Sequence, residues 1–130
     1  MPKVVTFGEI MLRLSPPGYE RFLQSPVLCA TFGGGEANVA TSLARFGLDS
    51  YYVTRLPKND IGDAAVRALL AEGVKTDYIL RGGDRIGVYF VEAGASQRAS
   101  NVIYDRARSA ISEVDPPAID WKTIFQDAAW

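Results

Sequence analysis

Thr31-Phe32-Gly33-Gly34-Gly35-Glu36-Ala37-Asn38-Val39-Ala40 is the stretch on which the reading of this chain turns. A short apolar run enters three consecutive glycines and leaves into an alanine-rich segment with helical spacing. That is how a backbone is brought close to a small ligand at the start of a helix. From Glu36 to Phe46, Ala37, Ala40 and Ala44 recur beside Val39 and Leu43, and Gly47 stands where a helix is commonly terminated. Close packing of the helix is the alternative reason for the glycines. A dinucleotide loop fits less well, because Asn38 occupies the place of the third glycine, although Arg55, roughly twenty residues on, would suit a 2′-phosphate.

Outward from this loop the chain alternates. Upstream, Val4 to Phe7 reads as a buried strand ended by Gly8, with Glu9 at its carboxyl end, where ligands of open α/β sheets collect. A solvated strand-end charge is the plainer account of Glu9. Ile10 to Ser15 reads as a strand exposed on one face and stopped by Pro16-Pro17-Gly18. Downstream, Tyr51 to Thr54 is the next strand. Asp60 is the cap candidate of a second helix, with Ile61, Ala65, Ala68 and Leu69 as its apolar stripe and Gly73 as its end. Two helix-to-strand units of the same grammar predict an α/β fold.

The character then changes. After Asp77 to Leu80, the runs Ile86 to Glu92 and Asn101 to Asp105 have no helix between them, so they are expected to pair antiparallel in a small separate sheet, with the Leu12 region as a third member. Side chains repeat every two residues, which puts Val102, Tyr104 and Arg106 on one face, and Tyr89 can meet them across the ladder. An aromatic ring beside a guanidinium can hold a sugar-like molecule and pair with its carboxylate, whereas ordinary aromatic packing explains the tyrosines alone. Arg13, Arg98 and Arg108 are expected to serve solubility, and Cys29 to be a small core residue. Asp120 is expected to cap a short helix through Asp127, and a further strand is expected to begin near Trp130.

Composition narrows the chemistry. Fourteen Lys and Arg against fifteen Asp and Glu leave a net charge of −1, so no basic field attracts nucleic acid or anionic lipid. With one cysteine and no histidine, an intrachain disulfide, a Cys/His zinc site and a histidine triad are all excluded. No signal-peptide core develops before Gly8 and Glu9, so a cytoplasmic protein without membrane spans is expected.

The order Gly8-Glu9, Gly33-Gly34-Gly35-Glu36-Ala37-Asn38-Val39-Ala40, Leu43-Ala44, Phe46-Gly47, Asp60-x-Gly62 and Glu72-Gly73-Val74 resembles the amino-terminal part of ribokinase-like (PfkB-type) carbohydrate kinases. Together with Ser100-Asn101-Val102-Ile103-Tyr104-Asp105-Arg106 it is most similar to 2-keto-3-deoxygluconate kinases. The resemblance implies a mostly parallel sheet flanked by helices, and a β-sheet lid that covers the sugar and often forms a dimer contact. Lid strands would lie near 10–15, 28–32, 86–92 and 101–106. It further implies that Gly34, Gly35 and Asn38 line the substrate pocket, with Tyr89, Tyr104 and Arg106 reaching it from the lid and Arg106 addressing the carboxylate. Glu9 stands where relatives often place an acidic residue facing sugar hydroxyls.

ATP and Mg²⁺ are the implied cofactors, and a homo-oligomer through the lid the implied assembly. The Gly-x-Gly-Asp segment that would supply the anion-stabilising backbone and the general-base aspartate has no counterpart in residues 1–130, nor does the nucleotide site. Residues 1–130 are therefore expected to be the N-terminal part of one kinase domain, holding no catalytic, cofactor or metal residue and inactive alone. The alternatives are a kinase for fructose, ribose or a nucleoside, and a non-catalytic sugar-binding or oligomerisation module.

Overall fold

Strand β4 (Asp49–Leu56) is buried on both faces at Ser50, Tyr52, Val53, Thr54 and Leu56, the pattern of a strand with neighbours on both edges and cover above and below. In the computed structural model, which describes residues 1–130, it is the centre of a parallel sheet of order β1-β4-β5, with β1 at Lys3–Phe7 and β5 at Ile79–Arg81. The chain's last residues join the outer edge of β1. Ala129 N–H donates to the Lys3 carbonyl at 2.8 Å, and Val5 N–H donates to that of Trp130 at 2.9 Å.

Helices α1 (Gly35–Arg45) and α2 (Asp60–Ala71) deliver the chain into this sheet, and both stop by the same device. Gly47 (φ 85°) and Gly73 (φ 83°) adopt the left-handed conformation. Leu48 and Val74 then donate N–H to the carbonyls of Leu43 and Leu69, each at 3.1 Å, which satisfies carbonyls at the helix end. Ala37, Ala40, Tyr52, Leu56, Ala65, Leu69 and Val74 form the main core, and Ile10 and Ile86 extend it toward the second sheet.

The start of α2 differs by one residue from expectation. Asn59, in extended conformation, is the cap, its Oδ1 accepting from Gly62 N–H at 2.9 Å, while Asp60 is already helical. The buried face therefore runs through Gly62, Ala65 and Leu69, and Ile61 is exposed. Gly62 is required there, because a Cβ would run into the carbonyl oxygen of Pro57.

Behind the sheet, a 3-10 turn at Pro116–Ala118 and the short helix α3 (Trp121–Phe125) pack Ile119 and Ile124 against Val53. Asp120 caps α3 as expected, accepting from Thr123 N–H at 3.2 Å and from its hydroxyl at 2.6 Å, but the helix ends at Phe125 rather than Asp127.

The second sheet is separate and mixed, of order β3-β2-β6-β7. Strand β2 (Met11–Ser15) pairs antiparallel with β3 (Cys29–Gly33), and β6 (Val88–Glu92) pairs antiparallel with β7 (Asn101–Asp105). The two hairpin-like pairs meet through parallel β2 and β6. Cys29 lies on the outer strand and is exposed, which corrects its expected place in a core. Arg98 is also more than a solubilising charge. It donates to the carbonyls of Tyr19 and Ala93 at 2.6 and 3.1 Å and ties two loops together.

Replacing Asn59 with alanine removes the α2 cap. The expected loss is about 1 kcal/mol of stability in urea unfolding, with Asn59→Asp close to wild type. Equal loss in both variants would contradict a cap role.

Candidate functional site

Pairing register decides which side chains of the second sheet act together. Thr31, Arg13, Tyr89 and Tyr104 are aligned partners across β3, β2, β6 and β7, so all four leave the same face. Met11 and Gly33 form the row nearer the body of the molecule, and Arg106 joins it with Nη1 3.9 Å from Met11 Sδ. Leu12 and Phe32 point to the other face and pack on the main core.

This places the sequence-selected residues in one contiguous series. Tyr89 and Tyr104 stack with centroids 6.0 Å apart, and the Arg106 guanidinium lies 5.1 Å from the Tyr104 ring centre. Arg106 Nη1 is 3.7 Å from Glu9 Oε1, an ion pair too long to be a hydrogen bond, so apart from the weak bond that Nη1 donates to Met11 Sδ the guanidinium keeps its donors. Glu9 follows β1 directly. Its side chain is 17% exposed, and its Oε2 is buried with no partner. Gly87, just before β6, makes room for this pair, since a Cβ there would lie 2.5 Å from Glu9 Oε2 and 3.0 Å from the Arg106 Cβ.

The three glycines divide their work. A Cβ on Gly33 would stand 2.8 Å from the Tyr89 hydroxyl and 3.9 Å from Asn38 Oδ1, and one on Gly34 would strike the Glu9 carbonyl. Close approach thus accounts for Gly33 and Gly34. Gly35 faces open space, so packing does not explain it. Gly34 caps α1 without a side-chain bond, which leaves the first amide N–H groups of the helix unclaimed by any cap. Asn38 also borders a cleft of about 230 Å³ with Gly33, Thr41 and Glu72. Tyr89, Tyr104, Arg106 and Glu9 do not line that cleft.

Arg55 lies elsewhere, donating to the carbonyls of Ala110 and Glu113 at 3.2 and 3.4 Å, which removes the 2′-phosphate reading. Tyr52 was invisible as a site neighbour in the sequence, because the Tyr51-Tyr52 pair does not reveal which ring points toward α1. Its hydroxyl is buried and unpartnered. Burial, then the negative charges of Glu36 and Glu9, push the phenol above its ordinary value near 10.

The profile described as pfkB family carbohydrate kinase matches residues 1–128. The chain belongs to the pfkB family. A 2-dehydro-3-deoxygluconokinase of Thermotoga maritima superposes on this pfkB chain with a TM-score of 0.99 at 60% identity, over 100% of this chain and 40% of that one. A 2-dehydro-3-deoxygalactonokinase of Haloferax volcanii is 38% identical over 98% of this chain and 40% of its own. A 2-dehydro-3-deoxygluconokinase of Dickeya dadantii is 30% identical over 97% and 39%. The pfkB chain thus spans about two fifths of the length of these relatives.

In a spectrophotometric titration of the folded chain, Tyr52 is expected to give a late step, above the ordinary phenol range. Its folded pKa is raised, so its share of stability is whole below about pH 10 and is lost as the pH climbs toward the folded value. Tyr52→Phe should abolish the late step. A single step for all six tyrosines in the folded protein would contradict the burial argument.

Proposed function

We propose that residues 1–130 form the sugar-acid side of an ATP-dependent kinase that phosphorylates a 2-keto-3-deoxy sugar acid, foremost 2-keto-3-deoxygluconate, at its terminal hydroxyl to give the 6-phosphate. The observation that carries this reading is the series Glu9, Arg106, Tyr104, Tyr89 laid over Gly33 and Asn38. Arg106 offers its fork to the carboxylate. The two phenols and Asn38 offer hydrogen bonds to hydroxyls, and the tyrosine rings cover the apolar face of the sugar. Gly35, which faces open space, lets the sugar approach the first amide groups of α1. The buried, unpartnered Oε2 of Glu9 is an acceptor that a sugar hydroxyl would satisfy. The names of the relatives support the substrate class, and gluconate and galactonate forms differ only at one carbon.

Residues 1–130 do not fit the cofactors. No three acidic, cysteine or histidine side chains gather to hold a metal ion. The glycine loop is filled by Tyr89 and the Glu9 carbonyl except at Gly35. The proposal therefore assigns ATP, Mg²⁺ and the base to the longer kinase, and this chain binds and orients the sugar for in-line transfer. A cytoplasmic location follows from the same reading. No helix is long and apolar enough to cross a membrane.

A second copy of the chain is the proposed cover of the outer part of the second sheet. Strand β7 is exposed along its length, and Phe22, Leu28, Phe90 and Ile103 border an apolar groove of about 370 Å³.

In the full-length kinase, 2-keto-3-deoxygluconate should exceed fructose and ribose in kcat/KM by at least about a hundredfold, and Arg106→Ala should raise its KM about tenfold to a hundredfold. Preference for a neutral sugar would favour the fructose or ribose alternative. Saturable sugar binding with no ATP-dependent product would favour the binding module. Sedimentation should show a dimer that Ile103→Glu converts to monomer. A monomer in the wild type would refute the cover.

A further inference from the structure

Five arginines of this chain are half-buried: Arg13, Arg55, Arg81, Arg85 and Arg98. Four of them spend their donors inside the protein. Arg55 and Arg98 bind loop carbonyls, Arg81 binds Asp63 and the Pro57 carbonyl, and Arg85 binds Asp105. Arg13 alone has neither a hydrogen bond nor an ion pair. None of its guanidinium nitrogens is buried, so every donor is free for a partner outside the chain.

Its position says what that partner would be. Arg13 is the β2 member of the aligned row Thr31, Arg13, Tyr89, Tyr104, and Arg106 lies two residues on from Tyr104 on the same face. Within residues 11–15, 29–33, 88–92 and 101–106, Arg13 and Arg106 are the only charged residues on that face. Arg106 already faces Glu9 at 3.7 Å, so those two charges largely offset each other. Arg13 is left as the excess positive charge beside the tyrosine pair.

We infer that Arg13 is a specificity-determining residue whose guanidinium supplies the positive charge that selects a sugar acid over a neutral sugar. This rests on the sugar-acid reading above and deepens it. Arg106 contributes a geometric fork, while Arg13 contributes the unbalanced charge that makes the site attractive to an anion.

The test compares the full-length kinase with Arg13→Met and Arg13→Gln, using 2-keto-3-deoxygluconate and its neutral carboxamide as ligands in calorimetry and as substrates. Either variant should weaken binding of the acid about tenfold and cut the acid-over-amide preference by the same factor. The decline of acid binding with added salt should flatten. Arg13→Lys should restore part of the preference. Thermal midpoints should not fall, since an unpartnered charge is being removed.

If the wild type binds the acid and both variants keep the full preference, or lose acid and amide equally, Arg13 does not set specificity while the proposed function stands. If the wild type binds no sugar acid at all, the functional reading itself fails, and this inference with it.

Discussion

The site depends on the contact between Gly34 and the carbonyl of Glu9. The backbone at the start of α1 presses so closely on the end of β1 that no side chain fits between them. That contact sets the distance from the parallel sheet to the helix and, because β3 runs directly into Gly33, from the helix to the second sheet. The end of β1 and the passage from β3 to α1 thus meet at one point. The glycine run is thus first a joint between layers. The open space at Gly35 is what the joint leaves over.

Most of the fold was legible because its devices are local. Gly47 and Gly73 end their helices through backbone bonds within a few residues, and Asp120 caps α3 through Thr123. Where a reading slipped, the cause lay across the fold. Ala65 and Leu69 of α2 pack in one core with Tyr52 and Leu56 of β4, and the face they set leaves Ile61 exposed. Cys29 was misplaced because an apolar run looks the same whether its strand is central or at an edge. Parallel pairing of β2 with β6 joins residues 76 positions apart, such as Leu12 and Val88, and no short-range signal announces it.

The site was legible to a different degree. Tyr104 and Arg106 share a face by strand periodicity alone, and the structure keeps them together. Arg13 shares that face too, but its membership depends on the long-range β2–β6 register, so in sequence it was one more surface charge. Tyr52 beneath Glu9 and Glu36 was hidden for the same reason. Residues related by local periodicity could be read, and residues related by register could not.

The second sheet shows why register matters chemically. Alternate residues of its strands serve opposite purposes: Leu12 and Phe32 anchor it to the helical core, while Arg13, Tyr89 and Tyr104 face the other way. A slip of one residue would bury the charge and expose the anchor, so the apolar contacts that hold the sheet also fix which polar groups meet. Anchoring acts only at the end near Ile10 and Ile86. Farther out, Phe90 and Ile103 continue the apolar face, where the Phe22 ring meets Phe90 edge-on and the groove they border stays open. One alternating pattern therefore sets both the polar site and an uncovered apolar surface. Covering that surface would stiffen the strands that carry Tyr89, Tyr104 and Arg106, which links assembly to the geometry of the site through the same four strands.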